Sequence, residues 1–309
     1  MKKLTYLILP LLLIFSYGCD SNVMEPVADD SSYAADMEAA KMALDDGNYD
    51  KSIRLAGNHY NPDSPDPEAG HILSSAYMGK AGVDLTYIIE YSDNENQEGY
   101  DVIATALAHK TTSNMTPQII SAAAGFELEK IQIDEPRFID QNSIADMLNA
   151  MDEAKTILQD LADYFSENNL SPENDDIVKL GMASALDFIM KVSEAVSEIT
   201  GTNAPINKEA YDLVFSATDA NSLLNDLQSY LTLNPGITGV LTDDLINVKN
   251  AIFIMIDLIG ADEDITQDFD QFIREILGLD NFTPVTDNVI REHLTAARIV
   301  EFVGTELVD

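Results

Sequence analysis

Ala39-Ala40-Lys41-Met42-Ala43-Leu44-Asp45-Asp46-Gly47-Asn48-Tyr49-Asp50-Lys51-Ser52-Ile53 is the stretch whose reading decides the fold. Alanines at 39, 40 and 43 favour helix and leave room for a second helix to approach closely. Gly47 stands where a helix end takes the left-handed conformation, and Tyr49-Asp50 open the next helix. The pattern predicts a first helix over 33–46 with Ser32 as its N-cap, and a second from 49 to about 59 or 60. Asn61-Pro62 stops the second, because proline cannot donate to a helical carbonyl. Pro65-Asp66-Pro67-Glu68-Ala69 then starts a third helix running to Met78. Gly79-Lys80-Ala81-Gly82 turns it into a fourth over 83–91.

A period follows from the same stretch. Leu73-Ser74-x-Ala76-Tyr77 repeats the small-residue pattern, and Ala40 lies 34 residues before Ser74. With Asp66-Pro67 closing the first unit, residues 33–91 resemble the tetratricopeptide repeat. That resemblance implies paired antiparallel helices in which an aromatic plugs the turn and the inner face of each first helix lines a groove. Carried onto this chain, the groove positions are Met37, Lys41, Leu44 and Asp45, then His71, Ser75, Met78 and Gly79. One full unit and a partial one fall short of the roughly three that stand alone, so later helices are expected to cover the open end.

Downstream, helices are expected at about 100–110, 117–130 (Thr116 cap) and 143–166 (Ser143 cap). Further helices are expected at 175–200, 207–218, 220–232, 242–259, 265–277 and 286–307. In 175–200, Ile177, Leu180, Ser184, Phe188, Val192, Ala195 and Ile199 form one stripe. Met182, Ala185, Leu186 and Ile189 make a second, so this helix is covered on two sides. The run Val248 to Ile259, interrupted by Asp257, reads as the most buried helix of the C-terminal half. Its 12 residues are too few for a membrane span, which takes about 20. Ile131-Gln132-Ile133 is the nearest thing to a strand. The fold class is therefore all-α: a single helical array over 32–309, tetratricopeptide-like at about 33–91 and continuing as a larger bundle or solenoid at about 100–309. A soft seam is expected near 93–99 or 131–142.

The N-terminus carries an address. Lys2 and Lys3 precede an apolar run from Leu4 to Phe15, and Ser16-Tyr17-Gly18 lead to Cys19, the only cysteine. This segment resembles the bacterial lipoprotein signal peptide, which implies removal of residues 1–18, a diacylglyceryl group on Cys19, and a polar tether over 19–31. Ordinary signal cleavage and an uncleaved anchor are the alternatives. Full processing would add more than one acyl chain, and two or more chains hold a protein durably. The expected location is the cell envelope, facing the periplasm or the cell surface. Asp20 marks inner-membrane retention in enteric bacteria, but that rule is not general, so the leaflet stays open between inner and outer membrane.

Loss of residues 1–18 removes two of the 17 basic side chains and none of the 54 acidic ones, leaving a formal charge of −39. Such a field repels nucleic-acid phosphate and anionic lipid. With 46% apolar residues the acidity coats a packed globule, and a single cysteine leaves no intramolecular disulfide to support it.

Chemistry-bearing motifs are absent. His59, His71, His109 and His293 fall in separate helices without metal or catalytic spacing, and no G-x-S-x-G elbow or phosphate loop occurs. The acidic run from Asp93 puts Gly99 at position 7, where an EF-hand needs glycine at 6, and Asp262-Glu263-Asp264 has no following glycine. No catalytic residue, cofactor or metal is expected. The reading is a lipid-anchored binding or scaffold protein that meets a protein partner or an exported solute. The tetratricopeptide resemblance adds a role beside a periplasmic solute importer. Its alternatives are an envelope enzyme built from scattered carboxylates, which would show two or more inward acids of raised pKa in a pocket, and a cation-binding acidic protein.

Overall fold

The computed structural model describes residues 32–83, 138–170, 174–254 and 263–307. These contain eleven helices and one pair of two-residue strands, so the chain is all-α. Helices expected at 83–91, 100–110 and 117–130, the Ile131-Gln132-Ile133 segment, and the acidic run from Asp93 lie outside the described residues, apart from Val83.

Three helices form the N-terminal array: α1 (Tyr33–Asp45), α2 (Tyr49–Gly57) and α3 (Pro67–Lys80). Each start is capped by the residue its sequence offers. Ser32 Oγ accepts from Ala35 N, Asn48 Oδ1 from Lys51 N, and Asp66 Oδ1 from Ala69 N with Pro67 at the first helical position. Gly47 takes φ +70° between α1 and α2, a conformation that a side chain would strain. The small residues do close-packing work. Ala40 and Ala43 are buried, Ser52 Oγ donates to the Ala40 carbonyl at 2.9 Å, and the Tyr49 ring lies where a Cβ on Gly79 would stand.

The array is closed by α4 (Gln141–Glu167), which packs along α3. Its second half supplies Ile157, Leu161 and Phe165 to a small core containing Met37, Leu55, Ala69, Ile72 and Leu73. Its first half, with Ile144, Met147, Leu148 and Met151, belongs to the large core. One helix thus serves two cores.

The large core is organised around α5 (Asn174–Thr200), flanked by α4 and by α8 (Pro235–Ile254). Both apolar faces of α5 are covered: Leu180, Phe188, Val192 and Ala195 on one, Met182, Ala185, Leu186 and Ile189 on the other. The α5–α8 crossing is tight, since a Cβ on Gly181 would stand 2.2 Å from Ala251 Cβ. Around this pair lie α6 (Lys208–Ser216), α7 (Ala220–Leu233), α9 (Glu263–Leu277), α10 (Asp287–His293) and α11 (Ala296–Glu306). Phe188 meets Phe272 of α9 edge-on, with ring centroids 5.8 Å apart. The strands β1 (Phe138–Ile139) and β2 (Ala204–Pro205) pair antiparallel, Phe138 opposite Pro205 and Ile139 opposite Ala204.

Three expectations are corrected. α4 begins at Gln141, with the Asp140 carbonyl accepting from Ile144 N, so Ser143 lies inside the helix and is not its cap. α8 begins at Pro235, seven residues before position 242, because proline is tolerated in a first helical turn. The expected helix over 286–307 is broken at Leu294, whose extended backbone (φ −76°, ψ 100°) precedes the Thr295 cap of α11. Of the run Val248 to Ile259, Val248, Ala251 and Ile252 are buried, and residues 255–259 lie outside the described residues.

Candidate functional site

Of the eight groove positions, α1 and α3 bring two into one open cleft. Lys41 and His71 line it with Tyr33, Asp66, Pro67, Glu68 and Ile72, enclosing about 480 Å³. Met37 and Met78 are each 2% exposed and belong to the small and the large core, so the groove that the resemblance implied loses both to packing. Ser75 and Leu44 are half-buried and Asp45 is exposed. Gly79 lines a separate recess of about 220 Å³ with Gly47, Asn48, Tyr49, Asp50 and Lys80.

The cleft is wired by polar contacts that sequence spacing does not show. Glu68 accepts from Lys41 Nζ at 2.6 Å and from the Tyr33 hydroxyl at 3.0 Å. The same hydroxyl donates to Asp66 at 2.7 Å, so the cap of α3 also anchors the start of α1. Hydrogen bonds from Lys41 and then Tyr33 hold the Glu68 carboxyl below its usual range. The Lys41 ammonium is raised by the same bond, and the Tyr33 phenol is raised by burial and by its two carboxylate partners. Beside the cleft, His59 Nε2 lies 2.7 Å from Asp36 Oδ2, and its ring meets Tyr33 edge-on at 5.3 Å.

His71 makes the deeper connection. Its Nε2 lies 2.8 Å and 3.0 Å from the two oxygens of Asp176, which is 1% exposed near the start of α5. Negative charge is favoured there by the helix dipole. His59, in the turn just past α2 and not in a helix as expected, and His71 of α3 are therefore each tied to a carboxylate of another helix. His293 ends α10 and is exposed, and His109 lies outside the described residues.

A larger cleft of about 620 Å³ lies along α9 and the following loop. Its arginines are consumed internally. Arg274 donates to Asp270 and to the carbonyls of Asp280 and Thr283, while Arg298 donates to the carbonyls of Glu275 and Ile276 and pairs with Glu301. These bonds cap a helix end and fix a loop, leaving the α1–α3 cleft as the better candidate despite its smaller volume.

Sequence reasoning missed a buried ionic cluster altogether. Lys155 of α4 contacts Asp187 of α5 and, at 2.5 Å, Asp244 of α8. Lys191 reaches Asp187 at 2.5 Å and Asp152 at 3.0 Å. The only trace of it in the sequence is an acid between Leu186 and Phe188, on an otherwise apolar helix, four residues before Lys191. None of these residues lines the three clefts described above. Among the described residues no group of three or more potential metal ligands occurs, and no helix is long and apolar enough to cross a membrane.

Comparison with family models, with characterised proteins and with solved structures finds no match.

Proposed function

We propose that this chain is a lipid-anchored binding and scaffold module of the cell envelope, held by Cys19 and presenting the α1–α3 cleft to a protein partner or an exported solute. The observation that carries the reading is the meeting of Lys41 and His71, 30 residues apart, in one open cleft whose walls are fixed by Glu68, Asp66 and Asp176. Preorganised side chains on rigid helices suit recognition, because little conformational entropy is lost when a ligand docks. The basic-then-apolar segment before Cys19 supplies the anchoring half. A tether at the membrane beside an open helical cleft also suits an accessory of a transport system. A carboxylate-based enzyme needs raised acids facing an opening. Asp244 and Glu194 are raised, but Asp244 is buried and bound to Lys155, and neither lines the clefts described above.

The test is a pull-down from native membranes with the full chain, the Cys19→Ala form and the Lys41→Glu form. The expected result is a partner set recovered from membranes by the full chain, released to the soluble fraction with Cys19→Ala, and lost with Lys41→Glu. Lys41→Glu should keep an unchanged unfolding midpoint, since Lys41 is exposed. Equal recovery of the same partners in the soluble fraction by the full chain and Cys19→Ala would sink the anchoring half. Undiminished recovery by Lys41→Glu would sink the cleft.

A further inference from the structure

The junction of α4, α5 and α8 buries two carboxylates and divides its two cations unevenly between them. Asp187 and Asp244 are 0% and 1% exposed. Asp187 Oδ2 takes both ammonium groups, Lys155 and Lys191, whereas Asp244 takes Lys155 alone through Oδ1. The remaining oxygens, Asp187 Oδ1 and Asp244 Oδ2, have no hydrogen-bond donor among the described residues. A buried carboxylate oxygen without a donor is costly while the group is charged and far less so once it is neutral. A proton on Asp244, the carboxyl with the fewer cations, removes one of these two costs.

We propose that Asp244 keeps its proton in the folded protein at neutral pH, making the α4–α5–α8 junction a clasp that loosens when the proton is lost. This inference is independent of the cleft. Burial, and next the charge of Asp187, push the Asp244 carboxyl up to about 8 against the opposing pull of Lys155. Other charges around α8 among the described residues face away or pair elsewhere. Lys249–Asp287 and Arg291–Asp243 tie α8 to α10 through different residues, the single acid of α7, Asp226, is exposed, and Arg274 of α9 pairs with Asp270 on its own helix. Asp152 and Glu194 stand at the outer edge of the cluster beside Lys191.

The direction of the pH effect follows from the sign of the shift. The folded-state value lies above the ordinary 3.8, so the folded form binds the proton more tightly than the unfolded chain. The stabilisation is complete below pH 3.8, declines as pH rises, and is lost above about 8. Because α4 also walls the small core, loosening at the junction is felt by the helix that supports the array.

The test is infrared titration of the purified full chain carrying Glu194→Gln, which removes the other acid raised in this region. The expected result is an un-ionised carboxyl band present at pH 6.5 and bleaching through about pH 8. Asp244→Asn in the same background should abolish the band and release about one proton fewer on unfolding at pH 6.5, as calorimetry in buffers of different ionisation heat would read. If Asp244→Asn does not fold, the band in the Glu194→Gln chain decides alone. Absence of the band at pH 6.5, or equal proton release by the two forms, would overturn the clasp.

Discussion

The α1–α3 array and the α4–α5–α8 junction handle charge in opposite ways. The array keeps its ion pairs near water: Lys41–Glu68 is about half exposed on both sides, and Lys80–Asp50 more so. Its helices are held by small residues and by the apolar half of α4. The junction sinks two aspartates into the large core and ties three helices through one lysine that is 13% exposed. Water screens the array's pairs, so they contribute little beyond shaping a cleft. Low local dielectric magnifies the junction's charges, so breaking one partnership there is severe. A surface charge can be exchanged freely for recognition, and a buried one constrains the whole bundle.

The contrast can be broken at its strongest point. Lys155→Met leaves Asp187 with one cation and Asp244 with none, and is expected to cost about 3–5 kcal/mol in denaturant unfolding above about pH 8, where Asp244 is charged in the parent chain. Adding Asp187→Asn and Asp244→Asn should recover much of that loss, because the triple variant buries no unpaired charge. A loss under about 1 kcal/mol for Lys155→Met would mean that the junction is solvated and that the contrast is false.

Next in size is Leu161→Ala, at about 2–5 kcal/mol, since this fully buried side chain fills the seam between α4 and Gly70 of α3. Tyrosine fluorescence should report the array unfolding before the bundle. Coincident transitions would show that the two cores are one cooperative unit.

Two glycines sharpen the comparison further. Gly181→Ala presses a methyl on Ala251 and on the Asn247 carbonyl, both fixed by α8, and should cost about 1–3 kcal/mol. Gly79→Ala meets first the half-buried Tyr49 ring, a side chain that yields more readily than helix backbone, so its cost should be smaller. Thermal unfolding of both in parallel tests the ranking, and the reverse order would count against the tighter α5–α8 crossing. Smallest is Ser52→Ala, at about 0.5–1.5 kcal/mol, which removes one bond to the Ala40 carbonyl while leaving the small-residue packing intact. A larger loss in its unfolding midpoint would mark that bond as a main support of the array.

How much of this was legible depends on the range of the interaction. Ser32, Gly47, Asp66 and Pro67 act within a turn of their own position, and the structure places each as its local pattern requires. The two apolar stripes of 175–200 likewise announced a helix covered twice. Leu294 shows the limit. No glycine or proline marks the break before Thr295, and the residue is extended with its side chain buried. Position 235 fails for the opposite reason, since Asn234-Pro235-Gly236 reads as a breaker while a helix start accepts it. In the cleft, Lys41 and His71 were nameable from the tetratricopeptide resemblance, but Glu68, Tyr33 and Asp176 join them only through contacts 27 to 105 residues apart.

The sequence by itself determined that this chain is helical, acidic, built at its N-terminal end from close-packed small-residue hairpins, and preceded by an apolar segment ending at Cys19. Periodicity, capping and composition are local or summed properties, and they need no knowledge of neighbours in space. Only the tertiary structure decided that α4 serves two cores, that Met37 and Met78 are core rather than groove, and that Asp187 and Asp244 meet on Lys155. Those outcomes depend on which faces meet, and a charge's partner on another helix leaves no mark on its own neighbours in the chain.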